Sequence, residues 1–282
     1  MGNLTSVTAP LSLREVVALL DGRFPPALAS DWDAVGLACG DPDAPIRRVL
    51  FAVDPVLAVV DEALLLQADL IVTHHPLWLR GVHSVAATTS KGRVAHTLIG
   101  HGMALYSAHT NADHADPGVS DALASALGLT VIGPLVPDEY DPNVGTGRLG
   151  RLPEPMTLAQ FADRVAAALP ASTQGVRIAG DVAASVSTVA VCGGSGDAFL
   201  SAAATAADVY VTSDLRHHRA QDHLAEDGCA LIDVAHWAGE WPWLAAAARG
   251  LEADAAARGT TVDTYISTIV TDPWTTHRGS TS

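Results

Sequence analysis

Three apolar runs in this chain each stop at side chains that can bind a metal ion, and that coincidence constrains the fold more than any other feature. The first is Asp69-Leu-Ile-Val-Thr-His-His-Pro76. A short apolar run bounded by polar residues reads as a buried strand. His74 and His75 then sit at its C-terminal edge. Neighbouring side chains on an extended strand point to opposite faces, so one strand rarely aims two at one atom. Where the pleat breaks, two adjacent imidazoles can instead serve two ions side by side, and neutral imidazole suits divalent transition metals. Taken alone, the pair is equally well a polar strand cap or a satisfied core pair. The second run, Met103 to Ala108, leads into His109-Thr-Asn-Ala-Asp113. The third, Ala230-Leu-Ile-Asp-Val234, leads into His236-Trp-Ala-Gly-Glu240. With a helix starting near Trp237, His236 lies at a strand end and Glu240 in the first helical turn, so both can turn toward one point. Open α/β sheets place their ligand sites outside the carboxyl ends of the strands, where all these groups fall.

The remaining pattern supports such sheets. Leu11 to Leu20 predicts an opening helix with a capping box at Ser12-Leu-Arg-Glu15. Strands are expected at Val49 to Asp54, Asp69 to Thr73 and Ala104 to Ala108. Helices are expected from Pro55 to about Gln67, from Lys91 to His101, and from Asp116 to Gly128. After a Pro- and Asp-rich stretch at Val131 to Asn143, the alternation resumes: strand-like Val144 to Leu152, a helix over Thr157 to Leu169, and a strand over Val186 to Val191. Strands at Asp208 to Thr212 and Ala230 to Val234 flank a helix over Asp214 to Ala225. A long helix over Gly239 to Arg258 and a closing strand within Thr260 to Ile269 complete the chain. We therefore expect two α/β halves. Residues 1–130 carry His74, His75 and Asp113. Residues 131–282 carry His236 and Glu240, with the C-terminal helix able to pack back on the first half. The polar tail from Trp274 is expected to be disordered.

Composition narrows the function. The 282 residues are about half apolar, enough for a sizeable core, and carry a formal net charge of −15. That charge disfavours non-specific binding to nucleic acid or anionic membranes. Cys39, Cys192 and Cys229 are widely spaced and form no CxxC pair. This disfavours a thiolate zinc site or a disulfide framework and fits a reducing cytoplasm. The N-terminal residues lack the pattern of a signal peptide, and no apolar stretch is long enough to span a bilayer. No nucleophile elbow is present.

Two other segments invite a role. Cys192-Gly-Gly-Ser-Gly196 reads as a strand-to-helix junction, more a tight turn than a phosphate cradle, since neither GK[ST] nor GxGxxG stands there. Thr212-Ser-Asp-Leu-Arg-His-His218 reads as a helix start capped by Ser213 or Asp214. There His218 is either a proton donor or a hydrogen-bonded neighbour of the site. Asp54 either points toward the cleft or serves as a cap. His109 is expected to support the site more than to ligate. His83, His96, His101, His114, His223 and His277 read as surface or packing residues. A mixed His and carboxylate set suits Zn, Fe, Mn, Co or Ni.

Asp31-Trp-Asp-Ala-Val-Gly-Leu, Thr73-His-His-Pro76, Ser107-Ala-His-Thr-Asn-Ala-Asp113, Thr212-Ser-Asp-Leu-Arg-His-His218 and His236-Trp-Ala-Gly-Glu240 together resemble the Nif-three-like family. Its members are dinuclear-metal-centre proteins, often labelled GTP cyclohydrolase 1 type 2 homologues. The motifs occur in family order over roughly residues 12–245. The resemblance implies two α/β domains built as three-layer, mixed-sheet units. It places a dinuclear site in the cleft between them, with two divalent ions per chain held by His74, His75, Asp113, His236 and Glu240. It also implies a ring-shaped homohexamer. The Asp-Trp-Asp segment and His218 match positions near the site. Ser213 stands where relatives often have Gly, and His217 where they often have an aromatic residue. Two functional classes follow. One is a metal-dependent hydrolase of a nucleotide or other small phosphorylated or cyclic substrate. In its GTP version, water attacks the purine C8 and releases formate, with Glu240 catalytic and His218 protonating a ring nitrogen. The other is a non-catalytic metal-binding hexameric scaffold or regulatory protein.

Overall fold

The computed structural model describes residues 9–279. The N-terminal stretch read for a signal peptide falls largely outside the described residues, as do the last three positions of the polar tail. Trp274 to Gly279 has no regular secondary structure. The chain divides into two compact units. One runs to Ala112 and takes back Leu244–Ile269, while the other holds Asp113–Trp243 and the chain from Val270 onward. This partition separates Asp113 from His74 and His75, which the sequence reading kept in one half. The Pro- and Asp-rich stretch read as a joint belongs to the second unit, because Thr130–Gly133 is itself a strand paired in that unit's sheet.

The first unit opens with helix α1 (Leu13–Arg23). Ser12 and Glu15 form the expected capping box. Strands β1 (Gly36–Cys39) and β2 (Arg48–Ala52) follow, then helix α2 (Leu57–Leu66) and β3 (Leu70–Thr73). Helix α3 (Ser90–Gly100), β4 (Ala104–Ser107) and the short α4 (Thr110–His114) lead into the second unit.

There α5 (Val119–Ala126), β5 (Thr130–Gly133), β6 (Arg148–Thr157), α6 (Leu158–Ala168), β7 (Arg177–Ala179) and β8 (Ser185–Ser195) are followed by α7 (Leu200–Ala206). Then come β9 (Val209–Ser213), α8 (His217–Ala225), β10 (Ala230–Val234) and α9 (His236–Glu240). The mixed six-stranded sheet runs β7-β10-β9-β8-β6-β5. Its central strands β8, β9 and β10 are parallel, with Ser195 opposite Ser213 and Ser213 opposite Val234. The carboxyl ends of three strands therefore lie side by side.

Helix α10 (Pro242–Ala257) and strand β11 (Asp263–Ile266) return to the first unit. Its five-stranded sheet runs β11-β2-β3-β4-β1, parallel except for β1. Strands β2, β3 and β4 are largely or fully buried apolar runs, as expected of parallel strands covered on both faces. Leu50, Ile71 and Leu105 pack with Val59 and Val60 of α2 and Leu98 of α3. From the other side of the pleat, the Tyr106 hydroxyl donates to Asp21 of α1 at 2.7 Å. The Arg23 guanidinium grips Asp254 of α10.

Three local expectations are corrected. The single helix over Gly239 to Arg258 is two, α9 and α10, because Pro242 has no N–H to continue the ladder and suits a first helical position instead. Cys192-Gly-Gly-Ser195 is the last part of β8 rather than a turn, so its amides do not open a helix. Helix α8 starts at His217 with no side-chain cap, and neither Ser213 nor Asp214 caps it. Asp214 takes φ +57 and is used elsewhere. No helix among the described residues is long and apolar enough to cross a membrane.

Candidate metal centre

In the first unit the registers Ala52 with Thr73 and Thr73 with Ser107 set three strand ends level. The ladder continues one step further, as the amides of His74 and His75 donate to the carbonyls of Ala52 and Val53. The Thr73 hydroxyl donates to the His75 carbonyl at 2.8 Å and lies 3.1 Å from Ser107 Oγ, clipping the strand end. His74 and His75 come off β3 with ring centroids 5.1 Å apart. His109, just past β4, brings a third ring within 5.1 Å of one and 5.4 Å of the other. One nitrogen from each of the three lies within 4.8 Å of the others. Adjacent imidazoles thus converge, which a regular pleat would forbid.

What aims these rings is the opposite nitrogen. His74 Nδ1 donates to the Ala108 carbonyl at 2.9 Å, His75 Nδ1 to Asp54 at 2.7 Å, and His109 Nδ1 to Asp33 at 2.9 Å. Each acceptor can only accept, so Nδ1 carries the proton and Nε2 the lone pair. A metal-ligating histidine is commonly oriented in this way. Asp33 also accepts from the Thr110 amide and hydroxyl. Burial pushes its carboxyl up, but the bonds from Thr110 and His109 outweigh that and hold it below the usual carboxylate range.

The second unit contains a matching arrangement. His236 Nδ1 donates to Asp214 at 2.7 Å, and His236 Nε2 lies 2.9 Å from Glu240 Oε1, one helical turn on. Glu240 is 2% exposed. Burial alone would lower the His236 pKa, but the charges of Glu240 and Asp214 push it up to about 11. Two carboxylates around one imidazole make a spot that demands positive charge, whether a proton or a metal ion. Asp113, also partly buried, belongs to this unit. Burial first, and then the charge of Asp113, with that of Glu240 adding, push the Cys192 thiol up to about 12.

Gly194 packs directly against His236 and Glu240. Its φ is +66, and a Cβ there would lie 2.3 Å from Glu240 Oε1 and 3.3 Å from His236 Nε2. The glycine run read as a turn is therefore a strand end thinned so that a carboxylate and an imidazole can pack on its backbone. These residues fit divalent ions: oriented neutral imidazoles in one unit, a carboxylate-rich histidine cradle in the other, and donor types that suit Zn, Fe, Mn, Co or Ni.

Other predicted residues fall as follows. Asp54 holds His75 and so supports the site. His218 is exposed on α8 with its ring against His217 at 5.1 Å, and it joins no group of potential metal ligands among the described residues. His101 bonds its own helix, His114 bonds Thr146, and His223 is buried against the Cys229 carbonyl. Sequence reasoning missed Asp214 as the partner of His236. Its left-handed backbone, φ +57, swings it toward His236 and is visible only in the structure.

A family model described as Duf34/NIF3 (NGG1p interacting factor 3) matches residues 11–273. A GTP cyclohydrolase 1 type 2 homolog of Streptomyces coelicolor is 53% identical over 271 residues, covering 95% of each chain. A protein of the same description from Mycobacterium tuberculosis is 38% identical, over 93% of this chain and 96% of its own. Among solved structures, a Staphylococcus aureus hypothetical protein matches with TM-score 0.84 and 30% identity, over 94% of this chain and 99% of its own. A Bacillus cereus protein related to NIF3 matches with TM-score 0.85 and 25% identity, over 95% and 100%.

Proposed function

The chain belongs to the Duf34/NIF3 family, and from that premise we propose that it is a dinuclear metal-dependent hydrolase of a nucleotide or another small phosphorylated or cyclic substrate. The observation that carries this reading is the shared orientation of the His74, His75 and His109 rings, each with Nδ1 donating to a carbonyl or carboxylate, beside the carboxylate-flanked His236. In this reading His74, His75, Asp113, His236 and Glu240 hold two divalent ions. Such ions act as Lewis acids and lower the pKa of water, which favours hydrolysis.

The chain's own residues set the terms of that chemistry. Asp54 and Asp214 fix the tautomers of His75 and His236. Gly194 leaves room for Glu240 to stay buried beside His236, where water cannot screen its charge. Glu240 is the residue to which we assign the decisive role. His218 is given no step, because its ring lies against His217 on an exposed helix face. Relatives described as GTP cyclohydrolase 1 type 2 homologs make purine ring opening one candidate reaction within this class. We also propose that the protein works in the cytoplasm as a homohexamer.

The test is a screen of purified, metal-loaded protein against nucleotides and phosphoesters, beside a Glu240→Gln variant. We expect metal-dependent turnover in the wild type and none in the variant, with the same oligomer by light scattering. Inactivity across the whole panel would overturn the hydrolase reading in favour of a metal-binding scaffold.

A further inference from the structure

We infer that a cavity beside His75 in the first unit is a phosphate subsite, built by Lys91 and Arg93 to hold a small phosphate ester. That this ester is the substrate rests on the hydrolase reading above, whereas the binding itself needs no metal. The cavity has a volume of about 380 Å³, within the range of small-molecule sites. Asp54, His75, Lys91 and Arg93 line it together with the apolar Leu77 and Val94.

Charge identifies the occupant. The chain carries 31 carboxylates against 16 Lys and Arg, and Lys91 is its sole lysine. Arg14, Arg23, Arg148, Arg177 and Arg216 each pair with a carboxylate. Neither Lys91 nor Arg93 does so among the described residues; other arginines such as Arg47 and Arg219 have no ion pair there either, but Lys91 and Arg93 line one cavity together. The carboxylate that shares their cavity, Asp54, is already engaged by His75 Nδ1. Two cations that stay unpaired in so acidic a chain match a phosphate monoester, which carries close to two negative charges at neutral pH. A single carboxylate would leave one cation without a counterpart. Arg93 offers a planar fork of donors and Lys91 a compact charge, the combination suited to phosphate oxygens.

The pair is also held in place. Gly92, between them, packs so closely that a Cβ would lie 2.0 Å from the Ala86 carbonyl oxygen. Its amide donates to Thr89 Oγ1 at 3.0 Å. The segment before α3 and the first turn of that helix therefore fix each other, and the Lys91 and Arg93 backbones with them. Because His75 lines the same cavity, an ester held by its phosphate here presents its remainder toward the candidate metal ligands.

Phenyl phosphate is the probe, titrated calorimetrically into the full chain after removal of metal with a chelator. We expect saturable binding, weakened on the order of tenfold by Lys91→Gln and further by Lys91→Gln with Arg93→Gln, the scale of lost charge-assisted hydrogen bonds. Both side chains are exposed, so the variants should keep the wild-type melting temperature. Phenyl phosphate should also slow acylation of Lys91, the one lysine amine. No binding to the metal-stripped wild type, or wild-type affinity in the double variant, would overturn the subsite. Binding seen only after metal loading would overturn it as well, because the ions and not Lys91 and Arg93 would then hold the phosphate. A chain that takes up no metal yet binds the probe through Lys91 would keep the subsite and sink the hydrolase reading instead.

Discussion

Asp54, two residues past β2, shows how much a single carboxylate far from His75 in sequence can decide. It fixes which nitrogen of His75 carries the proton, and hence which one can face a cation. Replacing it by Asn removes the charge that orients the ring. Asp54→Asn should weaken metal binding by roughly 10- to 100-fold, the usual effect of losing such a partner. Competition with a chelating dye measures this, and wild-type affinity in the variant would contradict it. Asp33 has a pH signature. Its folded pKa lies below its unfolded value, so its stabilisation is complete above the ordinary carboxylate range near about 4. That stabilisation is lost as pH falls through the lowered folded value. Melting temperatures between neutral pH and strong acid should therefore fall less in Asp33→Asn than in the wild type, and equal falls would refute the assignment. At this scale the ligand types were legible, because His and acidic residues stood at the ends of apolar runs. Their orienting partners were less so. Asp214 looked like a helix cap because its left-handed backbone, which swings it to His236, leaves little trace in the pattern of residue types.

The elements were the most legible level, since alternating apolar strands and amphipathic helices announce an α/β sheet directly. The capping box at Ser12 forms as its sequence leads one to expect, and Thr157 forms a second one with Gln160. Two features resisted. Pro242 was read as lying inside one helix, whereas its missing N–H splits that helix just after Glu240. The glycines of Cys192-Gly-Gly-Ser195 suggested a turn, yet they remain in β8 because a buried carboxylate lies against them. Glycine in a strand marks a close approach as readily as a turn. Gly194→Ala tests that reading. A left-handed residue with a side chain costs roughly 1–2 kcal/mol, and the added carbon would displace Glu240 as well. Urea unfolding should show a loss of at least that order, together with reduced metal uptake. Unchanged stability and metal content would show that Gly194 has no such role.

For the molecule as a whole, the two units repeat one device. Each sets parallel strand ends level and hangs chemistry from them: His74, His75 and His109 in the first, Asp214 and His236 in the second. The family and the α/β class could be read from the sequence, since motifs and periodicity carry both. The boundary between the units could not be placed in the same way, because it falls after Ala112, inside α4, where no Pro- or Gly-rich linker marks it. In the proposed centre His74, His75, Asp113, His236 and Glu240 hold a pair of divalent ions. The most direct measurement is elemental analysis of the purified, metal-reconstituted chain beside its His74→Ala and Glu240→Gln variants. About two ions per chain are expected in the wild type, the number a paired site holds, with a clear loss in both variants. A wild type that retains no ion, or variants that retain as many as the wild type, would contradict that assignment.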